Sequence, residues 1–390
     1  MNQMVKSNVL AFCIKKIPSS ILGVIEPLTQ LDNQNVINFE FIESSFVDKN
    51  HIAKADVVIC IRGSEELDLK IIRECRRLNK YIIYFMDDDL LNIPSSAGSS
   101  AYYNHESIRH NIITLMKESD CLWTTNTNIA RKYADLVTKT AVLNAPALHL
   151  NKRLYVKEAN DPIVIGFAGS LDHAGFLDQL LNKTILNLLE KYPNIKFEFY
   201  GAKPSLVDEY KLTHIPYEND YSKYSEVIVS RNWDIGLAPL QDSDFHKSKY
   251  FNKYLEYSSK QIVGVYSNIE PYTFIVKNGV NGFLVNNTTD EWTETLSYLI
   301  EHKKARNNVI TESFRDVQNN FSLSSITEGI KSKIPEIMNY KAPFVKVRQV
   351  KDPSYIKSFY FQKIINIIKR EKMMTPFFIG KKILVYLKSK

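Results

Sequence analysis

Two clusters in this 390-residue sequence carry groups able to do chemistry. The first is Asp87, Asp88 and Asp89, which follow directly on the apolar run YIIYFM (81–86). Adjacent carboxylates repel one another, and burying any of them unpaired is costly. Such a cluster can hold a metal, bind polar groups of a substrate in a cleft, or cap the turn that follows. The second cluster is Lys249, Lys253 and Glu256, at spacings of four and three. A helix over 247–260 would place all three on one face. Two cations and one carboxylate lining a cleft suit a diphosphate and a ribose: the lysines offset phosphate charge and the carboxylate accepts from sugar hydroxyls. The plainer alternative is a solvated ladder in which Lys253 pairs with Glu256.

Small residues mark a third place. Ala168-Gly169-Ser170 ends the run IVIGFAGS (163–170). A helix follows within about five residues. Backbone N–H groups in such a turn can approach a phosphate closely, and the helix dipole favours the negative charge. Many ordinary strand-to-helix turns look the same. His105 and His110 follow a Gly/Ser-rich stretch, 92–104, that reads as a mobile loop. Either could meet an acceptor, although a lone histidine is more often structural.

The elements that must hold these groups alternate. Strands are expected at 8–13, 38–42, 56–61, 81–86, 120–124 and 139–143, with helices at 20–31, 64–79, 106–118 and 127–136. This order implies right-handed crossovers and a parallel sheet. The pattern restarts after a linker at 151–162, with strands at 163–170, 195–201, 233–240 and 261–267. The fold class is therefore α/β, two Rossmann-like doubly wound domains facing a central cleft. The domains are 1–150 and 163–335, with a basic helical tail at 336–390 that partly packs back on the first domain. Ligands in such sheets bind off the carboxyl ends of the strands. Asp87–Asp89 stand at such an end.

Composition narrows the function. Residues 341–390 carry a net charge of +11, and the other 340 residues carry −4. A basic appendage on a slightly acidic body argues against nucleic-acid binding by the body. Segments 354–371 and 375–390 mix aromatic and aliphatic residues with lysines, as an anionic membrane surface would favour. The four cysteines show no metal-like spacing, and three lie in apolar runs, which points to reduced thiols in a cytoplasmic protein. The first apolar run is followed by Lys15 and Lys16, the wrong order for an export signal.

Four stretches, GFAGSLDHAGFLDQL, DIGLAPL, SKYFNKYLEYSS and EPYTFIVKNGVNGFLV, come in an order and spacing that resemble the donor domain of GT-B glycosyltransferases. The likeness is to the family-four-like, group-one enzymes and covers 163 to about 330. The first 150 residues match only in architecture and through DDDLLNIP, which is similar to a stretch in bacterial surface-polysaccharide members. The resemblance implies transfer of a sugar from a nucleotide sugar to a hydroxyl of a glycan or lipid-linked acceptor. It implies retention of configuration, no metal or other cofactor, and a place at the inner face of the membrane. Glu256 matches the ribose-binding second glutamate of the family's paired motif, while the first glutamate is replaced by Ser248. The usual Arg and Lys after the first donor strand are also absent, since the loop reads Ser170, Leu171, Asp172, His173. Lys249, Lys253, His173, Gly169 and Ser170 then become the expected diphosphate ligands. Glu270, Pro271 and Tyr272 fall where members touch the transferred sugar, and His214 to Tyr217 where the base is held. Asp88, with Lys249 and Lys253, is the expected catalytic group; Asp87, Asp88, Asp89 and His105 are the expected acceptor ligands. Two other readings stay open: a GT-B-like subunit that binds without turnover, and a polyol-phosphate transferase on the same fold.

Overall fold

The computed structural model describes residues 6–148, 161–218 and 221–353. It contains two six-stranded sheets, every strand pair in them parallel. The first is built from β1 (Asn8–Cys13), β2 (Asn38–Glu43), β3 (Val57–Ile61), β4 (Tyr81–Met86), β5 (Cys121–Thr124) and β6 (Lys139–Val142), in the order β2-β1-β3-β4-β5-β6. The second is built from β7 (Ile163–Gly169), β8 (Ile195–Gly201), β9 (Thr213–Ile215), β10 (Ile235–Ala238), β11 (Val263–Ser267) and β12 (Phe283–Val285), in the order β12-β11-β10-β7-β8-β9. Each order reverses once, between β1 and β3 and between β7 and β10. A crevice for ligands opens at such a reversal, beyond the carboxyl ends of the strands.

The apolar runs explain the burial. VVICI of β3 is buried throughout, and YIIYFM of β4 is buried in all but its first residue. Strands covered on both faces read as continuous apolar runs rather than as alternation. The polar ends of these runs are therefore the first places where chemistry can appear. All four cysteines are buried free thiols.

The chain crosses back to the first domain earlier than expected. The helix Leu323–Lys333 and the turn Glu336–Asn339 place Ile326, Ile330, Ile334 and Ile337 in one cluster with Val9, Ala11, Leu28 and Leu31. Lys139 binds Glu336 at 2.8 Å, and Lys351 N–H donates to Glu74 at 2.7 Å. The second domain thus ends before residue 323 rather than at 335, because the isoleucine stripe buries against the first sheet. The expected packing and membrane segments at 354–371 and 375–390 lie outside the described residues. Among the described residues no helix is long and apolar enough to cross a membrane.

Candidate active site

The reversal between β7 and β10 positions the donor-like half of the site. Gly169 ends β7 and Ser170 begins the turn into the helix Ala174–Lys191. The turn is tight because β8 crowds it. Gly201 at the end of β8 has φ +77°, and a Cβ there would stand 2.2 Å from the Gly169 carbonyl. Only glycine fits such a position. A cavity of about 450 Å³ opens beside this turn, with Gly169, Ser170, His173, Lys253 and Glu256 on its wall. Tyr200, Tyr217 and Tyr224 line it as well, and Pro18, Ser19, Leu22 and Asp88 close it from the first domain. Seven of the expected site residues, among them Asp88 and Tyr217, meet here.

The helix expected over 247–260 is broken. A short turn, Asp244–Lys247, is followed by irregular chain, and the helix proper is Asn252–Ser259. Lys253 and Glu256 share the side of this helix that faces the cavity, but Lys249 precedes it. The first domain causes the break. Asn126 Nδ2 donates to the carbonyls of Lys247 at 3.1 Å and Lys249 at 2.7 Å, and Asn128 Nδ2 donates to Lys247 at 3.2 Å and to Glu270 at 2.8 Å. These bonds hold the irregular chain around Lys249 against the first domain. Tyr250 is buried here, and its hydroxyl accepts from Ala145 N–H at 3.0 Å. Lys249 consequently faces a second, smaller cavity of about 170 Å³, shared with Arg62, Asp88, Ser170, His173 and His246. Asp88, Ser170 and His173 line both spaces and so stand at their junction.

The charges at that junction are tuned by burial and by neighbours. Burial opposes ionisation of Asp88, but Lys249 and Arg62 outweigh it and hold the carboxyl below its ordinary range. Asp87, with the larger share of burial against it, is raised despite Arg62. Arg62 Nη1 reaches Asp87 at 3.0 Å and Asp88 at 3.3 Å. Its own guanidinium stays charged: burial is offset by the two carboxylates. Burial pushes Lys253 down to about 8, with Glu256 pulling it up and Lys249 pushing it further down. Lys253 Nζ donates to the Ala168 carbonyl and lies 4.8 Å over the Phe167 ring. His173 falls to about 3 through burial and the nearby lysines, and His246 to about 4 through burial and Lys249. Both imidazoles are therefore neutral hydrogen-bonding groups at physiological pH.

Five expected residues stand elsewhere; Asp87 lines neither cavity and meets the cleft only through Arg62. Asp89 is fully buried and turned from the cleft, bound by Lys132 at 2.8 Å, Tyr133 at 2.5 Å and Asn92 at 3.0 Å. His105 caps the helix Glu106–Lys117 through Ser107 and lines neither cavity. Pro271 and Tyr272 also line neither; Tyr272 is buried against Tyr266, with ring centroids 4.9 Å apart. Three adjacent aspartates thus divide their work: two bind an arginine at the cleft and one anchors the turn. Among the described residues no three His, Cys, Asp or Glu side chains form a metal-binding group. Arg62 and Lys260 went unnoticed in the sequence. Arg62 carries a signal only in hindsight, as a lone cation just beyond a wholly apolar strand. Lys260 sits four residues after Glu256, a spacing that could have found it.

No protein-family model and no curated protein matches the sequence. Solved structures do. HepE of Anabaena, crystallised with UDP-glucose, matches at TM-score 0.58 and 13% identity over 85% of this chain and 100% of HepE. The lipopolysaccharide outer core galactosyltransferase WaaB matches at 0.55 and 14%, over 84% of this chain and 99% of WaaB. TarM of S. aureus matches at 0.51 and 12%, over 71% of this chain. The matched part spans 54% of TarM, about half its length. At such identities the likeness is one of fold. The chain has the GT-B glycosyltransferase fold: two Rossmann-like domains with the cleft between them.

Proposed function

We propose that this chain is a glycosyltransferase that moves a sugar from a nucleotide diphosphate donor to a hydroxyl of a glycan or lipid-linked acceptor, in the building of a cell-surface polysaccharide. The reading rests on one observation above all: the cavity at the β7–β10 reversal brings a glycine turn, a buried lysine and a glutamate together. The diphosphate would lie between the Gly169–Ser170 turn and Lys253, with Glu256 on the ribose. HepE was crystallised with UDP-glucose on a fold of this kind, which supports the same class of donor here.

The chemistry follows from where charge must grow. As the bond between the anomeric carbon and the diphosphate breaks, its electron pair passes to the leaving phosphate oxygen. Fixed cations and N–H groups in a dry cleft stabilise that charge best. Lys253 and the turn supply them, with Lys249 approaching from the smaller cavity, where the sugar and acceptor would meet. Asp88, ionised at the junction, accepts the proton of the acceptor hydroxyl as the hydroxyl oxygen bonds to the anomeric carbon on the face that the diphosphate leaves. We further propose that configuration is retained, that no metal takes part, and that the protein works at the cytoplasmic face of a membrane, where the basic tail would bind anionic lipid.

A thermal-shift screen with UDP, GDP, CDP and ADP tests the donor site. Ligand at ~100 times its dissociation constant adds ~2.7 kcal/mol. Slow hydrolysis of the matching nucleotide sugar, lost in Glu256→Ala, would support turnover. No shift with any of the four sinks the donor reading. Ser248, in the place of a family glutamate, favours one alternative: binding without hydrolysis would identify a subunit that holds a nucleotide and leaves catalysis to a partner.

A further inference from the structure

We propose that Lys260 reads the donor ribose jointly with Glu256, and that the site therefore selects ribonucleoside over 2′-deoxyribonucleoside diphosphates. This rests on the donor reading above.

Lys260 is the residue on which the helix Asn252–Ser259 ends. Its side chain is only 5% exposed, yet it lines the large cavity. Lys253, Glu256 and Lys260 follow one another along one side of the helix. At ~1.5 Å rise per residue they span ~10 Å, about the reach from a β-phosphate to the far edge of a ribose. Side chains on a helix lean toward its N-terminus, which brings the Lys260 ammonium back over Glu256. The observed separation is 3.8 Å.

That distance is the informative part. It is an ion pair, but it is too long for a good hydrogen bond. A buried ammonium carries three donors, and burial disfavours its charge unless they are answered. Burial indeed holds Lys260 below the ordinary lysine range, with Glu256 working against it. A vicinal diol completes both groups at once. Its hydroxyl protons go to the Glu256 carboxylate, and an oxygen lone pair accepts from Lys260. Removing the 2′-hydroxyl leaves a buried donor unanswered, and sites of that kind reject the deprived analogue strongly. Tyr200 and Tyr224, which line the same cavity with ring centroids 4.9 Å apart, offer the base an aromatic wall.

The alternative is that Lys260 merely neutralises Glu256. Calorimetric titration separates the two. The wild type is titrated with UDP, GDP, CDP and ADP, and then with the 2′-deoxy counterpart of the tightest binder. Lys260→Met and Lys260→Arg are treated in the same way. We expect the wild type to prefer the ribonucleotide by ~10-fold or more. In Lys260→Met the ratio should collapse toward one, and Lys260→Arg should restore most of it. A wild-type ratio near one overturns the proposal whatever the variants do. A large ratio that persists in Lys260→Met overturns the role of Lys260 and leaves the donor reading standing. No binding of any of the four nucleotides to the wild type overturns both.

Discussion

The two walls of the cleft handle charge in opposite ways. On the first domain Arg62 sits against Asp87 and Asp88, and Lys249 of the second domain adds to the charge that holds Asp88. On the second domain Lys253 has a backbone carbonyl and an aromatic face, and among the described residues no carboxylate pairs with it. The first wall is complete as it stands. On the proposed reading the second is completed by the phosphates of the donor. A protein tolerates an uncompensated buried cation where a ligand supplies the missing charge, and strongly perturbed lysines collect at such sites. On the proposed reading the phosphates belong to the second wall and polar, uncharged groups to the first.

The largest effect should come from breaking the balanced wall. Arg62→Met leaves two carboxylates without their partner, and loss of one side of a buried pair costs ~3 kcal/mol. Urea unfolding should show that loss, while nucleotide affinity stays within ~2-fold because Arg62 lines only the smaller cavity. A collapse of affinity on a par with the loss of stability would mean that the walls are one unit.

Lys253→Met attacks the unbalanced wall and should do the reverse. Nucleotide diphosphate affinity should fall ~100-fold, the scale of a charge-assisted contact. The unliganded protein should gain ~1–2 kcal/mol, discounted for partial solvent access. The sign follows from the direction of the shift. Burial lowers the folded-state value from 10.5 to about 8, so the unfolded chain holds its proton over that window and the folded state is penalised at neutral pH. A thermal melt that shows Lys253→Met to be less stable than the wild type would contradict this account.

The same lysine predicts a pH dependence of binding. Its ammonium form binds the diphosphate and is present below about 8. Affinity should therefore fall about tenfold between ~pH 7 and ~pH 9, and titrations of Lys253→Met should be flat across that range. His173 and His246, already neutral, should add no step near pH 6.

The smallest effect should come from the asparagines that cross between the walls. Asn126→Ala frees the carbonyls on either side of Lys249, and donor hydrolysis should slow several-fold while nucleotide affinity holds. The reason is that Lys253 and Glu256 belong to the second domain alone. Equal losses in both quantities would show that Asn126 supports the fold rather than the placement of Lys249.

Most of the strands were legible in the sequence because buried parallel strands leave continuous apolar runs. β9 and β12, three residues each, were too short to leave a run and were missed. The glycine turn, Lys253 and Glu256 were legible because their spacing is local. Lys249 was misplaced on a helix because helical spacing assumes a helix, and side chains 119 or more residues away hold its backbone where it is not helical. Asp89 and His105 looked like Asp88 and His173 in type and in neighbourhood. Which of them faces the cleft depends on partners such as Lys132, Tyr133 and Ser107, and no local pattern announces those.

Local chemistry along the chain determined the alternation of strands and helices, the two-domain layout and the turn after β7, since each depends on residues a few positions apart. Folding in three dimensions decided which carboxylates meet Arg62, where Lys249 stands and to which domain the 323–339 stretch belongs. Those outcomes depend on burial and on hydrogen-bond partners contributed by the other domain, and a charge takes its role from what surrounds it once water has been excluded.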